Sequence, residues 1–283
     1  MIKLYAYAKL NLALDVLGKR DDGYHELDTV MQSISLCDVV TIEKAEELSV
    51  SMDKALVDME NNTAHTAAKM FMEKTGAGGA DISIEKRIPS MAGLGGSSAD
   101  AAAVLVGLDA LYGTNLGMNA LSEIGRQVGA DVPFAITGGT ARARGIGEKL
   151  SRISPGIPLH FVVVKPYQGV STAQAYAEYS RAVPVRMESV VYALQKGDID
   201  MFNKYSRNAL GMAALSIAPQ IMKAASALGG FGKAFMSGSG SSMFVVFETA
   251  EQAQRAAQSV HGDFELCGAY ESMDVGVKII EES

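Results

Sequence analysis

Over the first 43 residues the apolar positions fall into two long strand-like stretches, 2–17 and 29–43. The polar run Arg20-Asp21-Asp22-Gly23 supplies a turn between them. The period then changes. Ala64, Ala67, Ala68 and Phe71 recur at helical spacing within Asn62–Lys74, and the stretch Gly76–Gly79 breaks that helix. Asp81-Ile82-Ser83-Ile84-Glu85 alternates strictly, which predicts a half-buried strand within 80–86. Val104, Leu105, Leu108, Leu111 and Tyr112 make one apolar face of a helix predicted over Ala99–Tyr112. A further helix over 120–128 ends at Gly129. A short one begins near Asp131 and is closed by Gly138-Gly139-Thr140.

The stretch 151–158, with two prolines and a glycine, is the best boundary candidate and divides the chain into units 1–154 and 155–283. Beyond it the pattern predicts a strand at 159–165 and helices around 172–180, 186–196 and 215–228. A glycine-rich loop, a strand at 242–248, a helix at 250–259 and a last strand at 273–281 follow. Such a mixture predicts an α+β fold with helices against one sheet face.

Composition narrows the function classes. The chain has 283 residues, 48% hydrophobic and 20% charged, as in ordinary globular proteins. A formal charge of −7 argues against a general nucleic-acid binder. Cys37 and Cys267 make no disulfide framework and fit a reducing, cytoplasmic setting. The first twenty residues, interrupted by Lys3, Lys9 and Asp15, read as a mature strand and not a leader. No apolar run is long enough for a membrane span. Met70, Met187 and Met212 read as core fillers.

The chemistry concentrates in four places. Residues 87–104 put a strand, a Gly/Ser loop and a helix in sequence. Gly93, Gly95 and Gly96 permit a tight turn with exposed amides, Ser97 and Ser98 add hydroxyls, and the helix start favours an anion such as phosphate. The plain alternative is a glycine turn before a buried helix. Neither the Walker pattern nor the dinucleotide fingerprint is present. Lys9 and Asn11 share a face of an otherwise apolar strand; they either line a cleft or protect a sheet edge. Asp131, before Val132-Pro133, can cap a helix, orient a hydroxyl or take its proton. Residues 236–247 carry a second glycine–serine run, with Gly238 and Ser239 suited to lie against a ligand.

Tyr24 and His25 can stack on and hydrogen-bond to a flat base, or Tyr24 can pack under its loop while His25 caps a turn. Lys165 can meet an anionic group, and Tyr176 can form the other half of an aromatic clamp. His65, His160 and His261 lack metal spacing, which predicts no structural zinc. No G-x-S-x-G elbow supports a serine hydrolase.

The segments 8–38 (AKLNLALDVLGKRDDGYHELDTVMQSISLCD), 88–105, 128–148 and 236–242 resemble, in order, the signatures of the galactokinase, homoserine kinase, mevalonate kinase and phosphomevalonate kinase (GHMP) superfamily. GKRDDGYHEL is the most specific and resembles the branch acting on a cytidine-diphosphate-linked methylerythritol in non-mevalonate isoprenoid synthesis. The resemblance implies two domains, a ribosomal-protein-S5-like one and a ferredoxin-like α/β sandwich. It implies ATP against Pro89, Ala92, Gly93, Leu94, Gly95, Gly96, Ser97, Ser98 and Ala99. Mg²⁺ would bridge the phosphates, with Ser98 as a candidate ligand. Lys9 and Asp131 take the catalytic positions, Asp131 acting on the C2 hydroxyl and Lys9 steadying it. Asn11, Tyr24, His25, Lys165, Tyr176, Gly238 and Ser239 fall to the substrate, its cytosine between Tyr24 and Tyr176 with His25 at the polar edge. The expected partner is this small molecule alone, with no nucleic acid or membrane, in a monomer or weak homodimer.

Two departures stand out. The loop reads AGLGGSSADA where the superfamily has AGLGGGSSDA, and Ser241 replaces a proline after Gly238-Ser239-Gly240. The alternatives are a sister kinase of homoserine, mevalonate or a sugar, and a non-catalytic nucleotide-binding protein.

Overall fold

The computed structural model describes residues 1–53, 62–180 and 182–282. Two long strands, β1 (Ile2–Lys19) and β2 (His25–Ala45), form an antiparallel ribbon in which Lys9 faces Ser33 and Asn11 faces Met31. Register shifts on either side of Lys9–Asn11 mark bulges, which re-aim side chains locally. A short β3 (Ser49–Met52) precedes α1 (Thr63–Thr75), whose Asn62 cap accepts the Ala64 N–H at 2.8 Å. Next come β4 (Gly79–Glu85), α2 (Gly96–Tyr112), α3 (Gly117–Val128), α4 (Val132–Thr137), β5 (Thr140–Gly145) and β6 (Lys149–Ile153). Both β4 and β5 pair antiparallel with β2.

The second half opens with β7 (His160–Lys165). The helices α5 (Thr172–Ala177), α6 (Met187–Lys196), α7 (Ile199–Tyr205), α8 (Gly211–Ile217) and α9 (Ile221–Leu228) follow. Then come β8 (Phe235–Met236), β9 (Met243–Phe247), α10 (Ala250–Ser259), β10 (Leu266–Met273) and β11 (Val277–Glu282). β10 pairs with β7 and, through Ser272 and Met273, with β2, so the two sheets join in the order β11-β1-β2-β10-β7-β9-β8. β11 crosses back to pair with β1, placing residues 277–282 in the sheet of the first half.

Leu4, Leu10, Ile34 and Ile42 of the ribbon pack on Ala67 and Phe71 of α1 and on Ala102 and Leu105 of α2. Each fully buried Leu, Ile or Phe here is worth about 1.5–3 kcal/mol. A second core gathers Val162, Val164, Val245, Ala214, Ile221 and Leu228. Among the described residues no helix is long and apolar enough to cross a membrane.

Several elements differ from expectation, each for a local reason. α2 begins at Gly96, not Ala99, because Gly95 takes a left-handed φ of 72° and its carbonyl accepts the Ala99 N–H at 2.9 Å. Its apolar surface is broader than one face: Ala101, Ala102, Ala103 and Gly107 are buried too, as suits a central helix. The helix expected over 215–228 is two, α8 and α9, split at Ala218-Pro219. α7, capped by Asp198, and β10 carry no prior expectation. The strand expected at 273–281 is the end of β10, a break and β11. β6 runs to Ile153, into the expected boundary.

Candidate active site

β1 carries Lys9 and Asn11 on one face, as the two-residue period requires. The Lys9 backbone N–H donates to Leu94 O at 2.9 Å, tying β1 to the glycine loop. Its ammonium, largely buried, donates to Asn11 Oδ1 at 2.6 Å and stands 3.3 Å from Asp131 Oδ2. Asn11 is itself held: Nδ2 donates to Thr29 Oγ1 at 2.9 Å, and Thr29 Oγ1 donates to Ala13 O at 2.7 Å. The edge-strand alternative for Lys9 fails, because β2 pairs with β1 on one side, the glycine loop takes the Lys9 N–H on the other, and the side chain is buried.

Asp131 occupies the N-cap position of α4, with Pro133 in its first turn, yet its side chain makes no capping bond. The carboxylate faces Lys9 instead, and its side chain keeps 34% exposure toward the cleft.

The two glycine–serine segments are sewn together. Ser237 Oγ accepts the Asn11 N–H at 3.1 Å and donates to Gly93 O at 2.8 Å, while the Ser242 N–H donates to Ala92 O at 3.1 Å. Asn208 Nδ2 donates to Met236 O and Gly238 O, both at 2.8 Å. Thr172 Oγ1 and Ser239 Oγ share a bond of 2.9 Å. Gly95 has to be small: a Cβ there would lie 3.0 Å from Lys9 Cγ, at a φ that L residues avoid.

The result is one cleft of about 930 Å³. It is lined by Lys9, Asn11, Tyr24, His25, Pro89, the 92–98 run, Asp131, Tyr176, Gly238 and Ser239. Gly96, Ser97 and Ser98, as the first turn of α2, present the positive end of that helix to the cleft. In the same cleft the His25 ring stacks on Tyr176, centroids 4.9 Å apart and planes 21° from parallel, and meets Tyr179 edge-on at 6.3 Å. Burial, then the Lys19 charge, holds the His25 imidazole below its ordinary pKa, so it is neutral at pH 7. Burial, and then the Asp131 charge, pushes the Tyr176 phenol well above its ordinary range.

Two expectations need correction. Lys165 does not line the cleft. It ends β7 almost fully buried, bonded to the Glu265 carboxylate and to Pro166 O at 3.0 Å, because a buried ammonium takes the nearest acceptors. Ala99 is also absent from the lining: its methyl lies in the α2 core and its N–H is spent on Gly95 O. His25 covers one face of Tyr176, while Tyr24 stands 61% exposed at the rim of the same cleft. Lys19, Lys86, Thr172 and Tyr179 also line the cleft. Nothing local singles them out; Asn208, deep behind the second loop, had no signal beyond its residue type.

Residues 62–139 match the model of the GHMP kinases N terminal domain, and residues 190–265 that of the GHMP kinases C terminal domain. A 4-diphosphocytidyl-2-C-methyl-D-erythritol kinase of Carboxydothermus hydrogenoformans is 43% identical over 89% of this chain and 90% of its own. One of Clostridium perfringens is 39% identical over 95% of this chain and 96% of its own. The crystal structure of a 4-(cytidine 5'-diphospho)-2C-methyl-D-erythritol kinase superposes with a TM-score of 0.79 at 33% identity, covering 95% of this chain and 98% of the other. A homoserine kinase of Cytophaga hutchinsonii reaches the same TM-score of 0.79 at 19% identity, a likeness of fold alone. Identity of this extent over nearly the full length, carried through both domain models, leaves one assignment. The chain belongs to the GHMP kinase family, on the branch of the 4-diphosphocytidyl-2-C-methyl-D-erythritol kinases.

Proposed function

We propose that this protein transfers the γ-phosphoryl group of ATP to the C2 hydroxyl of 4-diphosphocytidyl-2-C-methyl-D-erythritol, giving the 2-phosphate and ADP in the non-mevalonate route to isoprenoid precursors. The observation that carries this reading is the convergence in one cleft of the Lys9–Asp131 pair, the first turn of α2 and the His25–Tyr176 stack. A sister kinase of homoserine or mevalonate has no use for a flat aromatic platform in the cleft of the phosphate loop.

The nucleotide phosphates lie against the amides of the 93–98 run, where the helix dipole and free N–H groups favour negative charge. Asp131 accepts the proton of the C2 hydroxyl as its oxygen bonds to the γ-phosphorus and the bond to the β-phosphate oxygen breaks. Lys9 keeps Asp131 aimed, and its ammonium stabilises charge on the reacting oxygen. Because phosphoryl transfer has a loose transition state, alignment by Lys9, Asn11 and Asp131 counts for more than basicity. The cytosine is held by Tyr24, His25 and Tyr176, neutral His25 offering both a donor and an acceptor. Gly238 and Ser239 close the cleft above the acceptor.

Mg²⁺ is expected with the nucleotide, where it neutralises charge on the phosphates. Among the described residues no three His, Cys, Asp or Glu side chains are grouped to hold a metal. The Ser98 hydroxyl, in the first turn of α2 at the cleft, would be the protein ligand for that ion. A coupled ADP-release assay with the cytidyl substrate, mevalonate and homoserine side by side tests the reading. Turnover is expected with the first alone, and turnover with either of the others in its place overturns the assignment.

A further inference from the structure

The Lys9–Asp131 pair is framed by a junction outside the cleft, where the end of α4 meets the 274–276 turn between β10 and β11. Gly138 closes α4 with a φ of 65°, and the backbone of Val275 and Gly276 lies directly against it. A Cβ on Gly138 would stand 1.9 Å from the Gly276 nitrogen. The fit is as close from the other side: a Cβ on Gly276 would fall 1.8 Å from Ala135 O and 3.2 Å from the Gly138 nitrogen. Gly276 has no left-handed φ, so space alone requires a glycine there. Three hydrogen bonds carry the junction to both members of the pair. The Ala135 N–H donates to Asp131 O at 2.9 Å, so the residue whose carbonyl abuts Gly276 also holds the Asp131 backbone. Gly276 O accepts the Tyr7 N–H at 2.9 Å, two residues before Lys9 on β1. Gly139 O accepts at 3.0 Å the N–H of Ser33, the β2 residue that faces Lys9. A single turn near residue 276 thus touches the strand that carries the ammonium and the helix that carries the carboxylate.

Resting on the roles given to Lys9 and Asp131 above, we propose that Gly276 is a positioning residue that sets the separation of the Lys9 ammonium and the Asp131 carboxylate. Its contribution is the absence of a side chain. A carbon–oxygen contact is comfortable at about 3.5 Å, so a methyl group at position 276 must drive Ala135 O away by more than about 1 Å. The obstacle is backbone, and no side chain can swing aside to relieve it. With only six residues, α4 has no second turn to take up the push before it reaches Asp131. The ribbon cannot follow the helix, because Tyr7 and Lys9 are held in register with β2. The two halves of the pair therefore move apart from their separation of 3.3 Å, and a misplacement of about 1 Å at a reacting centre costs as much as about 10²-fold in rate.

The test is steady-state kinetics of Gly276→Ala with ATP and the cytidyl substrate, in the wild-type and Asp131→Asn backgrounds. In the wild-type background kcat is expected to fall about 30- to 100-fold while the KM for ATP stays within about twofold. In the Asp131→Asn background the same change should cost less than about threefold more, because the carboxylate it positions is already gone. A loss of stability alone would produce neither the split nor the non-additivity. Gly156→Ala is the steric control: its Cβ would meet Gln195 O at 2.6 Å, away from the cleft lining, and it should lower Tm with kcat unchanged. Should Gly276→Ala not fold, Gly139→Ala presses more gently on the same turn, its Cβ 3.3 Å from Asp274 O. It should show the same split at about fivefold. An unchanged kcat, or an equal loss in both backgrounds, overturns the positioning role alone. An Asp131→Asn protein as active as wild type overturns the reading on which that role rests.

Discussion

Lys9 holds Asp131 from a strand more than a hundred residues away in sequence: its ammonium stands 3.3 Å from Asp131 Oδ2 while donating to Asn11 Oδ1 at 2.6 Å. The contact joins the first strand of the sheet to the first turn of a short helix. It leaves the carboxylate oriented by a cation instead of capping its own helix. This arrangement fixes the Asp131 carboxylate at the cleft.

Replacing Asp131 by Asn keeps the shape and removes the proposed proton acceptor. The expected outcome for Asp131→Asn is a fall in kcat of about 10²–10⁴-fold with ATP affinity close to normal. Single-turnover rates and calorimetric ATP titration check it, and unchanged turnover would remove Asp131 from the chemistry.

In the proposed reading Tyr176 and Tyr24 hold the base by apolar contact, so their loss should weaken substrate binding more than it slows the chemical step. For Tyr176→Ala the KM for the cytidyl substrate is expected to rise about tenfold, with Tyr24→Ala affected less because its ring is the more exposed. Equal KM values for wild type and both variants would move the cytosine elsewhere.

Lys165 pairs with Glu265 away from the cleft, and Glu265 keeps about a third of its side chain in solvent. Lys165→Met should leave both KM values and kcat untouched while lowering stability by about 1–3 kcal/mol, since the Pro166 carbonyl and the Glu265 carboxylate lose their buried donor. A raised KM for either substrate would return Lys165 to the binding site.

Asp100 of α2, buried beside the Lys86 ammonium, writes a signature on stability. Its folded-state carboxyl lies near 8, above the roughly 3.9 of an unfolded aspartate, so the native chain holds a proton that the unfolded chain has lost. This contribution is complete in acid, declines as pH rises past about 4 and is gone above about 8. Thermal melts of Asp100→Asn should show a flatter decline of Tm between pH 5 and 8 than wild type. Parallel curves would mean that Asp100 is ionised throughout.

The features legible in the sequence are those that local physics dictates. Alanines at helical spacing gave α1, glycines without room for a Cβ marked both loops, and a lysine in an apolar strand marked the cleft. Sequence reading failed where a partner distant in the chain decides. Nothing near Lys165 announces Glu265, and nothing near Lys86 announces that Asp38 and Asp100 close on it. The break between α8 and α9 was readable at Pro219, but the alanines around it continue a helical pattern. Asp274 to Gly276 breaks the apparent strand: Met273 ends β10 beside Ser33 of β2, while β11 pairs with β1.

That last division has a consequence for how the protein is made. Leu4 and Tyr5 of β1 find their outer neighbours, Ile279 and Lys278, only in β11. During synthesis the ribbon that bears Lys9 must therefore wait, one flank bare, until nearly the entire chain has emerged. Pulse-labelled amide exchange on ribosome-bound chains stopped before residue 277 should find Leu4 and Tyr5 unprotected, and protected once the remaining segment is released.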